Sequence, residues 1–166
     1  MKKYKVILTE SEMRKLNEVR RNDGDDEFIT VDYIDKSNYK KYIGRKVNVT
    51  GNVDLNYLRL KRLSIIFGTV DGYFDCSYSN LISLKGCPRT VGGVFDCSFN
   101  NLISLKGCPR TVGGDFNCSH DNLTSLEGCP IKVDGDFDCR LNEDKFTEAD
   151  VKRLCKVGGD IMTEDD

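Results

Sequence analysis

Cysteines, aspartates and a single histidine are the side chains here whose recurrence could do chemistry. Seven of the eight cysteines fall into two series, Cys76, Cys97, Cys118, Cys139 and Cys87, Cys108, Cys129, with gaps that alternate between 11 and 10 residues. Zinc sites draw paired ligands from positions only a few residues apart, and no such pair occurs here. The spacing instead predicts thiols used as small hydrophobes in a narrow core, with Leu55 and Ile66 at the equivalent places of an earlier unit. No metal or cofactor is expected, and a reduced interior agrees with the cytosol.

Aspartates recur as Asp75, Asp96 and Asp138, with Asn117 in the same series, and as Asp115 and Asp136 two residues earlier in their units. Carboxylates stacked at strand spacing are either a solvated face or a docking face for a basic protein. A calcium reading of Asp134-Gly135-Asp136-Phe137-Asp138 lacks the full oxygen-ligand loop. Beside them runs a column of Tyr57, Tyr78, Phe99, His120 and Leu141, two residues after each core cysteine or after Leu55. Such rings either stack and close a corner or supply the anchors of an interface. Together with Tyr73, these aromatic and acidic residues are the candidate partner-binding set. His120, the sole histidine, reads as a packing variant, and no Ser–His–Asp or Cys–His arrangement can be built on it. Arg89, Arg110, Lys85 and Lys106 make a basic edge, read as solvated. There is no phosphate loop, dinucleotide fingerprint, metalloprotease motif or kinase motif, so no catalytic residue is assigned and no enzyme is expected.

What must position these side chains is a repeat. Phe74-Asp75-Cys76-Ser77 returns as Phe95–Ser98, Phe116-Asn117-Cys118-Ser119 and Phe137-Asp138-Cys139-Arg140, a period of 21 residues. A fixed period of this size marks a solenoid, whose coils bury their apolar face only by stacking. Val91, Gly93, Phe95 and Cys97 alternate as one face of a strand, predicting one short strand per unit and a parallel sheet along the solenoid. An Asn100-Asn101 corner, the pair Leu102 and Leu105, and a Gly107-Cys108-Pro109 turn complete the coil.

The set Phe95-x-Cys97, Asn100-x-Leu102 and Leu105 resembles the leucine-rich repeats over roughly residues 47–142. That likeness implies an α+β fold: a leucine-rich-repeat-like solenoid with a short parallel sheet, an N-terminal α/β cap and a C-terminal capping helix. The wording Leu-x-Ser-Leu-x-Gly-Cys-Pro is also similar to repeat proteins of large tailed bacteriophages, which implies a phage accessory protein acting in the host cytoplasm.

Domain boundaries follow from where the repeat stops: a head at residues 1–46, a five-coil solenoid at 47–142 with its best units at 70–139, a capping helix within 143–160 and an acidic tail at 161–166. In the head, Thr9-Glu10-Ser11-Glu12 has capping-box spacing and predicts a helix over 10–21; Phe28–Tyr33 reads as a strand and Asn38–Ile43 as a short helix. Near the end, Thr147 as N-cap, Asp150 three residues on, and Phe146 against Val151 predict the capping helix, closed by Gly158-Gly159. The first 50 residues carry 12 Lys/Arg against 9 Asp/Glu, and the remainder 13 against 18. An acidic repeat half argues against duplex nucleic acid as a partner. No run of about 18 apolar residues occurs, so the reading is soluble and cytoplasmic, without a membrane partner. The expected function is noncatalytic protein binding that inhibits or redirects a bacterial host protein. The alternatives are a virion structural or assembly role, or an enzyme or nucleotide-binding protein using the head.

Overall fold

In a computed structural model, which describes residues 27–164, the 21-residue period becomes a parallel β-solenoid of about six turns. The helix expected over 10–21 lies outside the described residues. Each turn contributes two strands rather than the one expected. A valine sheet is built from Ile29–Val31, Lys46–Val49, Ile66–Val70, Thr90–Val91, Thr111–Val112, Lys132–Val133 and Lys156–Val157. A phenylalanine sheet is built from Val53–Asp54, Phe74–Asp75, Phe95–Asp96, Phe116–Asn117, Phe137–Asp138 and Ile161–Met162.

The break between the two strands is the Gly-Gly pair that the alternation absorbed into one strand. A Cβ on Gly92 would sit 2.2 Å from the carbonyl oxygen of Asp71, and one on Gly113 would sit 2.3 Å from that of Gly92. Successive bends therefore stack backbone on backbone, and any side chain there would push the coils apart.

Register is one unit per coil. Val53, Phe74, Phe95, Phe116, Phe137 and Ile161 pair in sequence, as do Val70, Val91, Val112, Val133 and Val157. Inside, Phe74, Phe95 and Phe116 stack nearly parallel with ring centroids 5.5 and 5.6 Å apart, and Phe67 meets Phe74 edge-on at 5.0 Å. Burying each ring contributes roughly 1.5–3 kcal/mol. Cys76, Cys97, Cys118 and Cys139 are fully buried beside them, whereas Cys87, Cys108 and Cys129 are only half-buried at the margin of the core.

The first full coil departs from the expected alignment. Ile66, placed with the cysteines from sequence, is 49 % exposed, and Ile65 and Phe67 point inward instead. Later coils carry proline at the place of Phe67, and proline has no N–H to give. Phe67 donates its N–H to the carbonyl of Gly86 at 2.9 Å, which lets the strand run back to Ile66 with a bulge against Val47 and Val49.

Both boundaries move outward. Ile29–Val31 already pairs with Lys46–Val49 and Ile34 bridges to Val53, so solenoid geometry begins inside the stretch assigned to the head. The expected short helix near Asn38 is a 3-10 turn at Tyr39–Tyr42 that buries Tyr39, whose hydroxyl accepts the N–H of Ser64 at 3.0 Å. At the other end, Glu148–Leu154 is the one α-helix among the described residues. Thr147 accepts the N–H of Asp150, and the Asp150 carboxylate accepts the N–H of Thr147 at 3.1 Å, closing a capping box.

This helix does not end the solenoid. Its place in the coil is that of the leucine corner, and Val151 and Cys155 are buried against the core. The chain then resumes both sheets with Lys156–Val157 and Ile161–Met162. Gly158 and Gly159 are the next inter-strand bend, their would-be Cβ atoms 2.4 Å from Asp134 O and 2.1 Å from Asp136 Oδ1, rather than a helix terminator. The residues read as an acidic tail include a paired strand and the buried Thr163. No helix of the described residues is long and apolar enough to cross a membrane.

Candidate functional site

The corner that follows the phenylalanine sheet is closed by the recurring acid. Asp75 Oδ1 accepts the N–H and the hydroxyl of Ser77 at 2.9 and 2.6 Å; Asp96 does the same for Ser98 at 2.9 and 2.6 Å. Asn117 repeats this with Ser119 at 3.0 and 2.7 Å, which shows that the corner needs the acceptor oxygen and not the charge. Ser77, Ser98 and Ser119 are buried by this turn. Asp138 is also buried and is held by Arg140 through Nε at 3.1 Å and Nη2 at 2.8 Å. Burial raises the Asp96 carboxyl above its ordinary range, with the Ser98 hydroxyl and N–H acting the other way. The expected acidic face is thus largely a set of turn acceptors.

Immediately after each turn the chain enters left-handed backbone. Tyr57, Tyr78, Phe99, His120 and Leu141 have φ of 58°, 51°, 54°, 53° and 55°. In that conformation the N–H groups of Tyr57, Tyr78 and Phe99 each reach the next coil's Ser77, Ser98 and Ser119 carbonyl at 3.1 Å, so the inter-coil ladder continues around the corner. Left-handed backbone costs a non-glycine residue about 1–2 kcal/mol. The rings offset it: Tyr57–Tyr78, Tyr78–Phe99 and Phe99–His120 stack at 4.6, 4.2 and 4.0 Å within 14° of parallel. Each such pair contributes about 0.5–1.5 kcal/mol.

Stacking also decides what the ladder can offer. Every internal ring face is covered by its neighbour, and the outer face of Tyr57 lies under Lys36 Nζ at 5.9 Å. The ring edges stay open: Tyr57 is 47 % exposed and Phe99 37 %. The column is therefore an apolar ridge, not a platform for a flat ligand, and it is continued by Leu141 beside an open cleft lined by His120, Arg140 and Glu164.

The candidate residues divide into two groups. Tyr57, Tyr78, Phe99 and His120 adjoin Asp75, Asp96, Asn117 and Asp138 along one corner. Tyr73, Asp115 and Asp136 instead precede the short strand, on the Gly-Gly bend side. There Asp115 accepts the N–H of Asp136 at 2.9 Å and Asp136 that of Asp160 at 2.8 Å, just as Asn52 accepts that of Tyr73 at 3.0 Å. These side chains tie bend to bend. Sequence reading missed Ile82 and Ile103, 45 and 65 % exposed between the paired leucines; their place in Leu-Ile-Ser-Leu, where an outward residue follows an inward one, was the available signal. It also missed a pocket at the irregular first coil lined by Arg62, Leu63, Ile65 and Lys85.

Burial pushes Cys129 up to about 11 and Cys139 to about 12, and raises Cys87, Cys97 and Cys118 as well, all away from the thiolate that nucleophilic or metal chemistry requires. Among the described residues no group of three or more His, Cys, Asp or Glu is placed to hold a metal ion. Comparison of the chain with protein-family models, with curated proteins and with solved structures gives no match.

Proposed function

We propose that the protein is a noncatalytic binding module that docks another protein through the ridge formed by Tyr57, Tyr78, Phe99, His120 and Leu141. The observation that carries the reading is a continuous row of exposed side chains, four aromatic rings and then Leu141, held on left-handed backbone across five successive coils. Rigid rings lose little entropy on binding, and their open edges suit insertion into a groove of the partner. Acidic residues along the corner favour a partner with basic side chains beside that groove, although each acid is already engaged at both oxygens, one in its turn and the other by Asn56 at Asp75, Asn117 at Asp96 and Arg140 at Asp138. The likeness of the repeat wording to phage proteins is the sole support for a bacterial host protein as the target, with inhibition or redirection as the outcome.

The test removes rings without disturbing the backbone. Asparagine tolerates left-handed φ better than other non-glycine residues, so Tyr78→Asn with Phe99→Asn keeps the corner while deleting the ridge. Bait of this variant, of the parent and of Arg89→Ala/Arg110→Ala is used to capture partners from bacterial lysate. The reading requires a protein retained by the parent and the arginine variant and lost by the asparagine variant. Loss with the arginine variant alone would move the docking surface to the Cys-Pro turns.

A further inference from the structure

Beneath the ladder runs a second column, 21 residues apart, of Ser79, Asn100, Asp121 and Asn142, and three of the four do the same work. Asn100 accepts the N–H groups of Ser79 and Leu81 at 3.0 and 2.8 Å on Oδ1, while its Nδ2 donates to the carbonyls of Cys76 at 3.1 Å and Cys97 at 2.8 Å. Asn142 accepts from Leu123 at 3.3 Å and donates to Cys118 at 3.0 Å and Cys139 at 2.9 Å. Ser79 donates its hydroxyl to the carbonyl of Leu55 at 2.8 Å. Each therefore gives a hydrogen to the carbonyl 24 residues back, which latches one corner onto the coil before it.

Asp121 fills this place with the wrong chemistry for an anion. Its Oδ1 accepts the N–H of Leu102 at 2.9 Å, as the column demands. Its Oδ2 is buried and has no hydrogen-bond partner among the described residues. By register that oxygen occupies the site of the donating amide, against the carbonyls of Cys97 and Cys118. Ionised, it would oppose lone pair to lone pair in a desolvated corner. The heavy-atom separations of the equivalent amides leave room for a proton and for no larger cation. The groups around it offer no compensating charge: Asp96, Cys97 and Cys118 are the titratable neighbours, all acids, and His120 next in sequence turns its ring out into the ladder.

We propose that Asp121 is held as a neutral carboxylic acid that donates Oδ2–H to these carbonyls, and that releasing this proton to solvent unlatches the corner carrying His120, making the ladder's C-terminal end pH-sensitive. The inference stands on the latch geometry and does not depend on the docking role of the ridge. Burial supports it, raising the Asp121 carboxyl to about 7. Because the folded value lies above the roughly 3.9 of an unfolded aspartate, the latch stabilises fully below that lower value. Its contribution is lost progressively as pH rises to about 7 and is absent above.

The experiment compares the full chain with Asp121→Asn, both carrying His120→Phe so that imidazole titration does not contribute. Carbon NMR of the Asp121 carboxyl should give a midpoint near neutrality. The Tm advantage of Asp121→Asn should be smallest near pH 4, widen up to about pH 7 and then level, and amide protection factors at 119–123, with the intrinsic pH dependence of exchange divided out, should fall over the same range in the parent only. Asn142→Asp, the reciprocal change, should import a second titration of the same sign. A carboxyl midpoint near 4 with a Tm difference independent of pH would overturn the proposal.

Discussion

Two aromatic ladders climb this solenoid on the same coils, one inside and one outside. The inner one is Phe74, Phe95, Phe116 and Phe137, one residue type throughout, each ring fully buried. The outer one runs Tyr57, Tyr78, Phe99, His120 and then Leu141, a different mixture on the same period. Outer rings approach more closely, 4.0–4.6 Å against 4.9–5.6 Å. Closed volume accounts for the constancy inside: between two sheets and the leucine corner of the four central coils a phenyl ring fills the space, Val53 and Ile161 take its place at the two ends, and a hydroxyl or imidazole there would need a partner. Outside, one edge is in water, so polarity is free to vary and only stacking is demanded. The inner ladder is architecture; the outer one has latitude that a binding surface can use.

Truncation of matched rings tests that division most severely. Phe95→Ala leaves a cavity between two stacked neighbours and should cost about 3–5 kcal/mol by denaturant unfolding. Phe99→Ala removes two exposed stacks and should cost about 1–3 kcal/mol. Equal losses would make the outer ladder part of the core.

A middle-sized effect is expected where the two ladders are joined, at Asp96. Asp96→Asn keeps the acceptor that Asn117 already supplies one coil on, and should change stability by less than about 0.5 kcal/mol. Asp96→Ala leaves the buried Ser98 N–H and hydroxyl without their acceptor and should cost about 1–3 kcal/mol. By the same reasoning Asp96→Lys should injure the corner. If alanine and asparagine behave alike, the acid serves as surface charge after all.

The smallest effect belongs to the open end of the outer ladder. His120→Phe extends the ring series with a residue already present at Phe99 and should shift stability by no more than about 0.5 kcal/mol. A larger change in thermal unfolding would mean that the imidazole makes a specific contact.

Much of the architecture was legible because stacking repeats its demands every 21 residues. Phenylalanine, cysteine and leucine columns announce inward positions, and Thr147 with Asp150 announces a helix start from four residues alone. The Gly-Gly bend was not legible: alternation of period two passes through Val91, Gly93 and Phe95 unbroken, and only the approach of Gly92 to Asp71 in the coil before shows that the chain turns there. The orientation of Ile66 is not legible either, because the later coils carry proline where Phe67 gives its N–H to Gly86. The helix resembles a terminus in sequence, since nothing local reveals that Lys156 and Ile161 return to the two sheets.

By itself, then, the sequence determines that the chain coils, with what period, and which columns of the regular coils lie inside, since these follow from local periodicity and composition. Tertiary structure alone decides the roles of the polar residues. Whether an aspartate is a free charge, a turn acceptor as at Asp75, a partner of arginine as at Asp138 or an orphaned oxygen as at Asp121 depends on how the corner folds: Ser77 and Arg140 stand two residues from their acids but meet them only in the turn, whereas Asp121 accepts from Leu102 of the coil before and leaves its second oxygen unpartnered. Hydrogen bonding is directional and short in range, so no amount of pattern along one strand specifies what the next coil presents to it.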